Sequence, residues 1–365
     1  MSSSLRIAGI RRTLPAIVLL AAAGWTWPAG TSQAAIRPSD GGGTIGLGQQ
    51  QAGLPRPPGR EWASLAYDPR LRELVLFGGD TAGSALPAVF RGTWTYRSGR
   101  WTKRHPARSP SARSGAAMVY DQASGQVLLF GGSNSANPFD GAQHLNAQTW
   151  IWTGATWREL HPALAPRARR NADMVYDAAR HEVILFGGYD GSGLGDTWAW
   201  TGVTWSQLDP ASSPSPRYDA SMAYDGTTKK VILFGGYFDS APYIANDTWS
   251  WDGTTWTLLQ PRAHPRDNAA GWEAAADPAS KQILLLGRDL GILTPKNEIW
   301  EWTGSNWHQV WPRTVPRNLS AGSMTYDGAL RKTVLFGGYA SLDRQPGHPY
   351  PRSLWLWNGT AWRVR

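Results

Sequence analysis

The sequence predicts an all-β protein: a six-bladed β-propeller, each blade a sheet of four short antiparallel strands. Three observations carry the prediction. The phrase Trp-x-Trp-x-Gly-x-x-Trp recurs along the 365 residues, starting at Trp150, Trp198, Trp249, Trp300 and Trp355, with Trp94-Thr-Tyr96 and Trp101 as a first copy. Ahead of these copies run apolar segments closing in paired glycines, at Gly78-Gly79, Gly131-Gly132, Gly187-Gly188, Gly235-Gly236 and Gly337-Gly338. Successive pairs lie 53, 56 and 48 residues apart, and about 50 per unit across a degenerate fifth, which is the period of a four-stranded blade.

Each unit justifies four strands in order. In the third, 172–177 is a first apolar run and 182–188 a second, with Asp177 opening the tight turn between them. Residues 196–200 and 204–208 form the third and fourth runs, turning at Thr201-Gly202. The Trp-x-Trp pairs place both rings on one face of a strand, where a blade packs on its neighbour. Such rings are scaffold, since they recur in every unit. The first unit begins with an inner strand and the last ends with an outer one, so the ring is expected to close by packing of faces. A donor strand at Thr44 to Leu47 is the alternative.

Outside the repeat, Arg6, Arg11 and Arg12 precede an apolar run from Leu14 to Trp25, and Ser32-Gln33-Ala34 suits cleavage. Residues 1–34 are therefore expected to be an export signal. The run is too short for a membrane span, although an uncleaved anchor fits it too. Residues 35–59, with Gly41-Gly42-Gly43 and Pro55-Arg56-Pro57-Pro58, are expected to be a flexible spacer, leaving 60–365 for the propeller. Removing three arginines and no acid lowers the formal net charge from +9 to +6. That favours anionic neighbours, but no basic run interleaved with aromatics points to nucleic acid. The chain has no cysteine, so stability rests on packing without disulfides.

Arginine ahead of Met-x-Tyr-Asp, a hydrophobic run ending in Gly-Gly, and spaced tryptophans together resemble the kelch repeat in its bacterial exported form, over roughly residues 60–365. The resemblance implies a kelch-like propeller and says little of activity, because that fold hosts adaptors, lectin-like binders and oxidases. The copper oxidases of this kind rely on a Tyr cross-linked to a Cys. A chain without cysteine cannot make that cofactor.

Strand alternation puts the first-to-second and third-to-fourth turns on one face of the ring. The other face carries the blade connections and long, uneven loops at 80–92, 133–148, 189–196, 237–247, 288–298 and 339–354. A binding site is expected there, near the axis. Two residue sets are candidates. One is an arginine before each inner strand: Arg60, Arg113, Arg169, Arg217, Arg266 and Arg317. It either bonds neighbouring carbonyls and acids, or forms a positive ring that receives an anion through its planar fork. The other is the mid-loop aromatics Phe139, Tyr243 and Tyr350, which suit stacking on sugars or anchoring a partner. The fifth unit departs from the pattern, with Leu286-Gly287-Arg288 in place of Phe-Gly-Gly. This is drift, or else Trp272, Glu273, Arg288 and Asp289 mark a specialised sector.

Catalytic and metal chemistry find little support. The seven histidines give no ligand trio; His144 and His348 are the best two. Ser250 to Trp256 is one residue short of a sialidase aspartate box and reads as a turn. No carboxylate pair for glycoside hydrolysis can be assigned, since no Asp or Glu stands out from the repeating ones. The expected function is thus an exported, monomeric, non-catalytic binding module without cofactor or metal, recognising a cell-surface glycan, an anionic wall polymer or a protein partner. The alternative is a carbohydrate-active enzyme with an acid–base carboxyl pair in the central funnel.

Overall fold

The computed structural model describes residues 55–82, 84, 87–137, 142–266, 269–289, 297–316, 319–340 and 350–365. Residues 1–54, which hold the expected signal, most of the spacer and the possible donor strand, lie outside them.

Each unit folds as the apolar periodicity requires. In the first blade, strands Glu61–Asp68, Glu73–Asp80, Thr93–Arg97 and Arg100–Arg104 follow one another as an antiparallel meander. Five further sheets repeat this order, with inner strands Ala117–Asp121, Asp173–Asp177, Ser221–Asp225, Ala269–Asp277 and Leu319–Asp327. The result is a six-bladed β-propeller. The Asp ending each inner strand caps the next turn; Asp177 Oδ1, for one, accepts the Ala179 N–H at 3.0 Å. Among the described residues, every sheet is built from strands contiguous in sequence, and no blade mixes the two ends of the chain.

Aromatic rings lock blade to blade. The outer-strand tryptophan of one blade meets a second-strand phenylalanine of the blade before: Phe77 with Trp157 at 5.3 Å, Phe130 with Trp205 at 5.4 Å, Phe186 with Trp256 at 5.4 Å and Phe234 with Trp307 at 5.5 Å. The same contact closes the ring, Phe336 of the sixth blade lying 5.2 Å from Trp101 of the first. Each of Trp157, Trp205, Trp256 and Trp307 also donates its indole N–H to a threonine one blade back, at 2.9–3.0 Å. The polar edge of a buried ring is thereby satisfied, as burial of indole demands.

The arginine before the inner strand is a second fastener. Arg113, Arg169 and Arg217 are at most 1% exposed, and each donates Nη1–H to the first glycine of its pair, at Gly131, Gly187 and Gly235. Each also grips the polar residue that accepts the next tryptophan's indole N–H: Gln148, Asp196 and Asp247. Arg266 makes the matching bond from an exposed position, its Nε lying 3.2 Å from Glu298, which accepts from Trp300. Residues 57–59 are not loose spacer. Arg352 Nε donates to Pro57 O at 3.3 Å, and Gly59 lies so close on the Tyr350 carbonyl that a Cβ would overlap it.

Candidate functional site

The inner strands surround a central cavity of about 780 Å³, within the range of roughly 300–1,000 Å³ that encloses a drug-sized ligand. Its loop-side end is a backbone girdle. Trp62, Gly115, Asn171, Asp219, Gly271 and Ala321 occupy one equivalent position per blade, and all have φ between 52° and 63°. Left-handed backbone costs a non-glycine residue roughly 1–2 kcal/mol. Blade-to-blade bonds offset it: Gly115 N–H donates to Trp62 O at 2.9 Å, Asn171 N–H to Gly115 O at 2.8 Å, and Asp219 N–H to Asn171 O at 3.0 Å. At Gly115 a Cβ would strike Asn171 Oδ1, and that side chain would have to turn away.

Just outside the girdle stand cross-strand pairs, one per blade: Glu61 with Asp80, Ser114 with Ser133, Arg170 with Tyr189, Tyr218 with Tyr237, Ala270 with Arg288, and Ser320 with Tyr339. Here the repeat breaks, and no two pairs are chemically alike. Side chains from these pairs neighbour one another around the mouth. Arg170 lies over the Tyr189 ring, Tyr189 meets Tyr218 at 5.1 Å, and Tyr218 stacks on Tyr237 at 5.7 Å. Arg288 interacts electrostatically with both Tyr237 and Tyr339. Tyr339 packs on Tyr350 at 5.5 Å, and the Tyr350 hydroxyl donates to Glu61 at 3.3 Å. Asp80 bonds Ser114 and feels Arg170, which completes the circle.

The fifth blade departs from the sequence expectation in one respect. Arg288 does not replace the second glycine; that residue is missing. Ala270 faces Arg288 and Glu273 faces Leu286, so Gly271 and Trp272 together oppose Gly287 alone. The inner strand takes up the slack as a bulge, and the Trp272 ring fills the space where a Gly287 side chain would stand. Arg288 consequently sits at the mouth, in the register of Tyr237 and Tyr339. Below it, Ala274 and Ala276 stand where other blades carry Leu or Met and Tyr, and both line the cavity.

Carboxyl groups also line the cavity, contrary to the expectation that no acid stands apart from the repeat. Asp173 and Glu273 occupy the position held by Ser64, Ser221 and Ser323 in other blades, and Asp219 belongs to the girdle. Aligning the six units on Tyr-Asp would have exposed the exchange of serine for acid. Burial pushes Asp173 up to about 7 despite N–H bonds from Met222 and Met174. It pushes Asp219 to about 7 against Arg170 and Asn171. Glu273 is raised well above the usual range, first by burial and then by Asp173 and Asp219. At the mouth, burial and Asp80 raise Glu61 to about 8, while burial raises Asp80 to about 6.

These five groups hold protons in the folded chain that the unfolded chain has released above the ordinary carboxylate values. Stability therefore falls as pH rises from about 4 to about 8. The thermal midpoint is expected to be higher at about pH 5.5 than at about pH 8, with Glu273→Gln raising the pH 8 value and flattening the slope. Asp196 and Asp247 act oppositely. Burial works against ionisation in both, but Arg169 and Arg217 hold them below the usual range, so their contribution is lost only in stronger acid. A midpoint that climbs steadily towards pH 8 would contradict the assignment.

The structure scatters the residues singled out from sequence. Arg113, Arg169 and Arg217 lie inside the blades and form no positive ring at the mouth. Arg266 is 59% exposed but paired with Glu298. Tyr350 belongs to the mouth, although at 7% exposure its ring is a joint between the sixth and first blades and offers no open stacking surface. Tyr243, 47% exposed, lies one residue from Ile244, which bridges Tyr237 at the mouth. Arg317, Phe139 and His348 fall outside the described residues. His144 ends a short helical turn, Ala142–His144. Among the described residues no group of three His, Asp or Glu is placed to hold a metal ion. No model of a known protein family matches the chain. The architecture itself classifies it: a six-bladed, four-stranded β-propeller.

Proposed function

We propose that this propeller is an exported binding module of kelch type that recognises a glycan at the loop-side mouth of its channel. The observation that carries the reading is the broken repeat. Fasteners and aromatic locks recur from blade to blade, whereas the mouth carries a different polar or aromatic pair in each. Phenol rings and hydroxyls, arginine forks and protonated carboxyls suit a ligand rich in hydroxyl groups. The test is binding of the propeller to a panel of glycans, wall polymers and candidate proteins. Tyr218→Ala is expected to weaken glycan binding about tenfold, as loss of a central aromatic contact does. Retention of full affinity by Tyr218→Ala and Tyr243→Ala would remove the mouth from the account.

A second reading, a carbohydrate-active enzyme, is favoured by one observation: Asp173, Asp219 and Glu273 share a cavity and differ in how readily they ionise. One protonated and one ionised carboxyl are what glycoside hydrolysis needs. New reducing ends released from a bound glycan, and lost in Glu273→Gln, would turn the assignment towards catalysis.

A further inference from the structure

We propose that Arg288 anchors a carboxylate-bearing sugar at the channel mouth, between the hydroxyls of Tyr237 and Tyr339. The inference rests on the reading of the mouth as a glycan site and names the ligand's class.

Arg288 differs from the other arginines near the inner strands. Arg113, Arg169 and Arg217 spend their donors on carbonyls and polar side chains, and Arg266 has Glu298. Among the described residues, the guanidinium of Arg288 has no hydrogen-bond or ion-pair partner, and its Nε is buried without an acceptor. A half-buried guanidinium with one buried N–H left without an acceptor among the described residues gains from an anion that supplies one. The planar fork fits a carboxylate with two parallel bonds. Tyr237 and Tyr339, in the same register on the flanking blades, can donate to the same anion or to neighbouring sugar hydroxyls. The one-residue deletion in the fifth blade is what brings Arg288 to this register, so the feature is built by the backbone.

The acids nearby do not oppose such a ligand at neutral pH. Asp219, beside Tyr237, and Glu273 deeper in the cavity are both raised by burial, and in protonated form they donate to hydroxyls. Arg170, across from Asp219, adds a second positive charge to the mouth. The mature net charge of +6 favours approach of an acidic polysaccharide.

The test is calorimetric binding of galacturonate, glucuronate and mannuronate oligosaccharides, each beside its methyl ester, which keeps the shape and removes the charge. The wild-type protein is expected to prefer at least one free acid over its ester by about tenfold or more. Arg288→Gln should erase that preference by weakening the free acid more than the ester, and Arg288→Lys should keep part of it. An unchanged thermal midpoint and circular dichroism spectrum show that the variant folds. An acid preference that survives in Arg288→Gln, or a wild type that binds acids and esters alike, overturns the inference. So does a wild type that binds neither. In those cases the glycan reading stands if neutral glycans of the wider panel bind, and falls with the inference if none does.

Discussion

Trp205→Ala is expected to destabilise the propeller by about 3–5 kcal/mol, the usual loss when a large aromatic side chain is deleted from a packed core. Trp205 is fully buried. Its ring lies against Phe130 of the preceding blade at 5.4 Å and Trp200 of its own at 5.4 Å, and its N–H donates to Thr149 at 3.0 Å. Removing the ring opens a cavity at the blade interface and strands the threonine hydroxyl. Chemical denaturation followed by far-ultraviolet circular dichroism measures the change. Trp311, 78% exposed and outside the repeated phrase, supplies the comparison; its alanine variant is expected to stay within about 0.5 kcal/mol of wild type. Equal unfolding of the two variants would dismiss the interlocking indoles as the source of ring stability.

Arg169→Ala is expected to lower stability by about 3 kcal/mol, the lower part of the range for breaking a buried ion pair, because Asp196 keeps some contact with water. The guanidinium donates to Gly187 O at 2.9 Å, Arg167 O at 3.1 Å, and both oxygens of Asp196 at 2.6 and 2.7 Å. All of these acceptors lose a donor at once, and Asp196 keeps the Trp198 indole N–H at 2.7 Å and a backbone N–H. Arg266 is exposed although its partner Glu298 is buried, so water can take the arginine's place and Arg266→Ala is expected to cost less than Arg169→Ala, about 1 kcal/mol. Denaturation midpoints decide the matter. An Arg169→Ala protein of undiminished stability that has lost ligand affinity would restore the positive-ring reading drawn from sequence.

The frame was legible because its causes are local and repeated. Trp-x-Trp, Gly-Gly and Tyr-Asp each mark a strand or a turn whose physics does not depend on the rest of the chain. Strand limits in the third unit differ from those read off sequence by one or two residues at most. The recurring arginine was visible too, but sequence could not decide between a fastener and an anion ring, because the deciding fact is which carbonyl lies within reach. The mouth was harder to see. Glu61, Arg170, Tyr218 and Arg288 follow conspicuous motifs by a residue or so and look like filler in any single unit. Their significance comes from register, which brings one residue from each of six distant segments to the same height on the axis. The acids Asp173 and Glu273 hid for the same reason, standing where other blades carry serine. In the fifth unit a substitution and a deletion look alike from sequence; the strand pairing tells them apart.

Hydrogen–deuterium exchange of the propeller with and without the tightest-binding ligand of the panel is the most direct test of a recognising mouth on a purely structural frame. Protection is expected in the segments that carry the rim, around residues 60–63, 169–171, 188–190, 217–219, 236–238 and 287–289, with the outer strands and the short-turn face unchanged. Protection confined to the short-turn face or to the outer strands would contradict the account, as would a ligand that binds without slowing exchange at any rim segment.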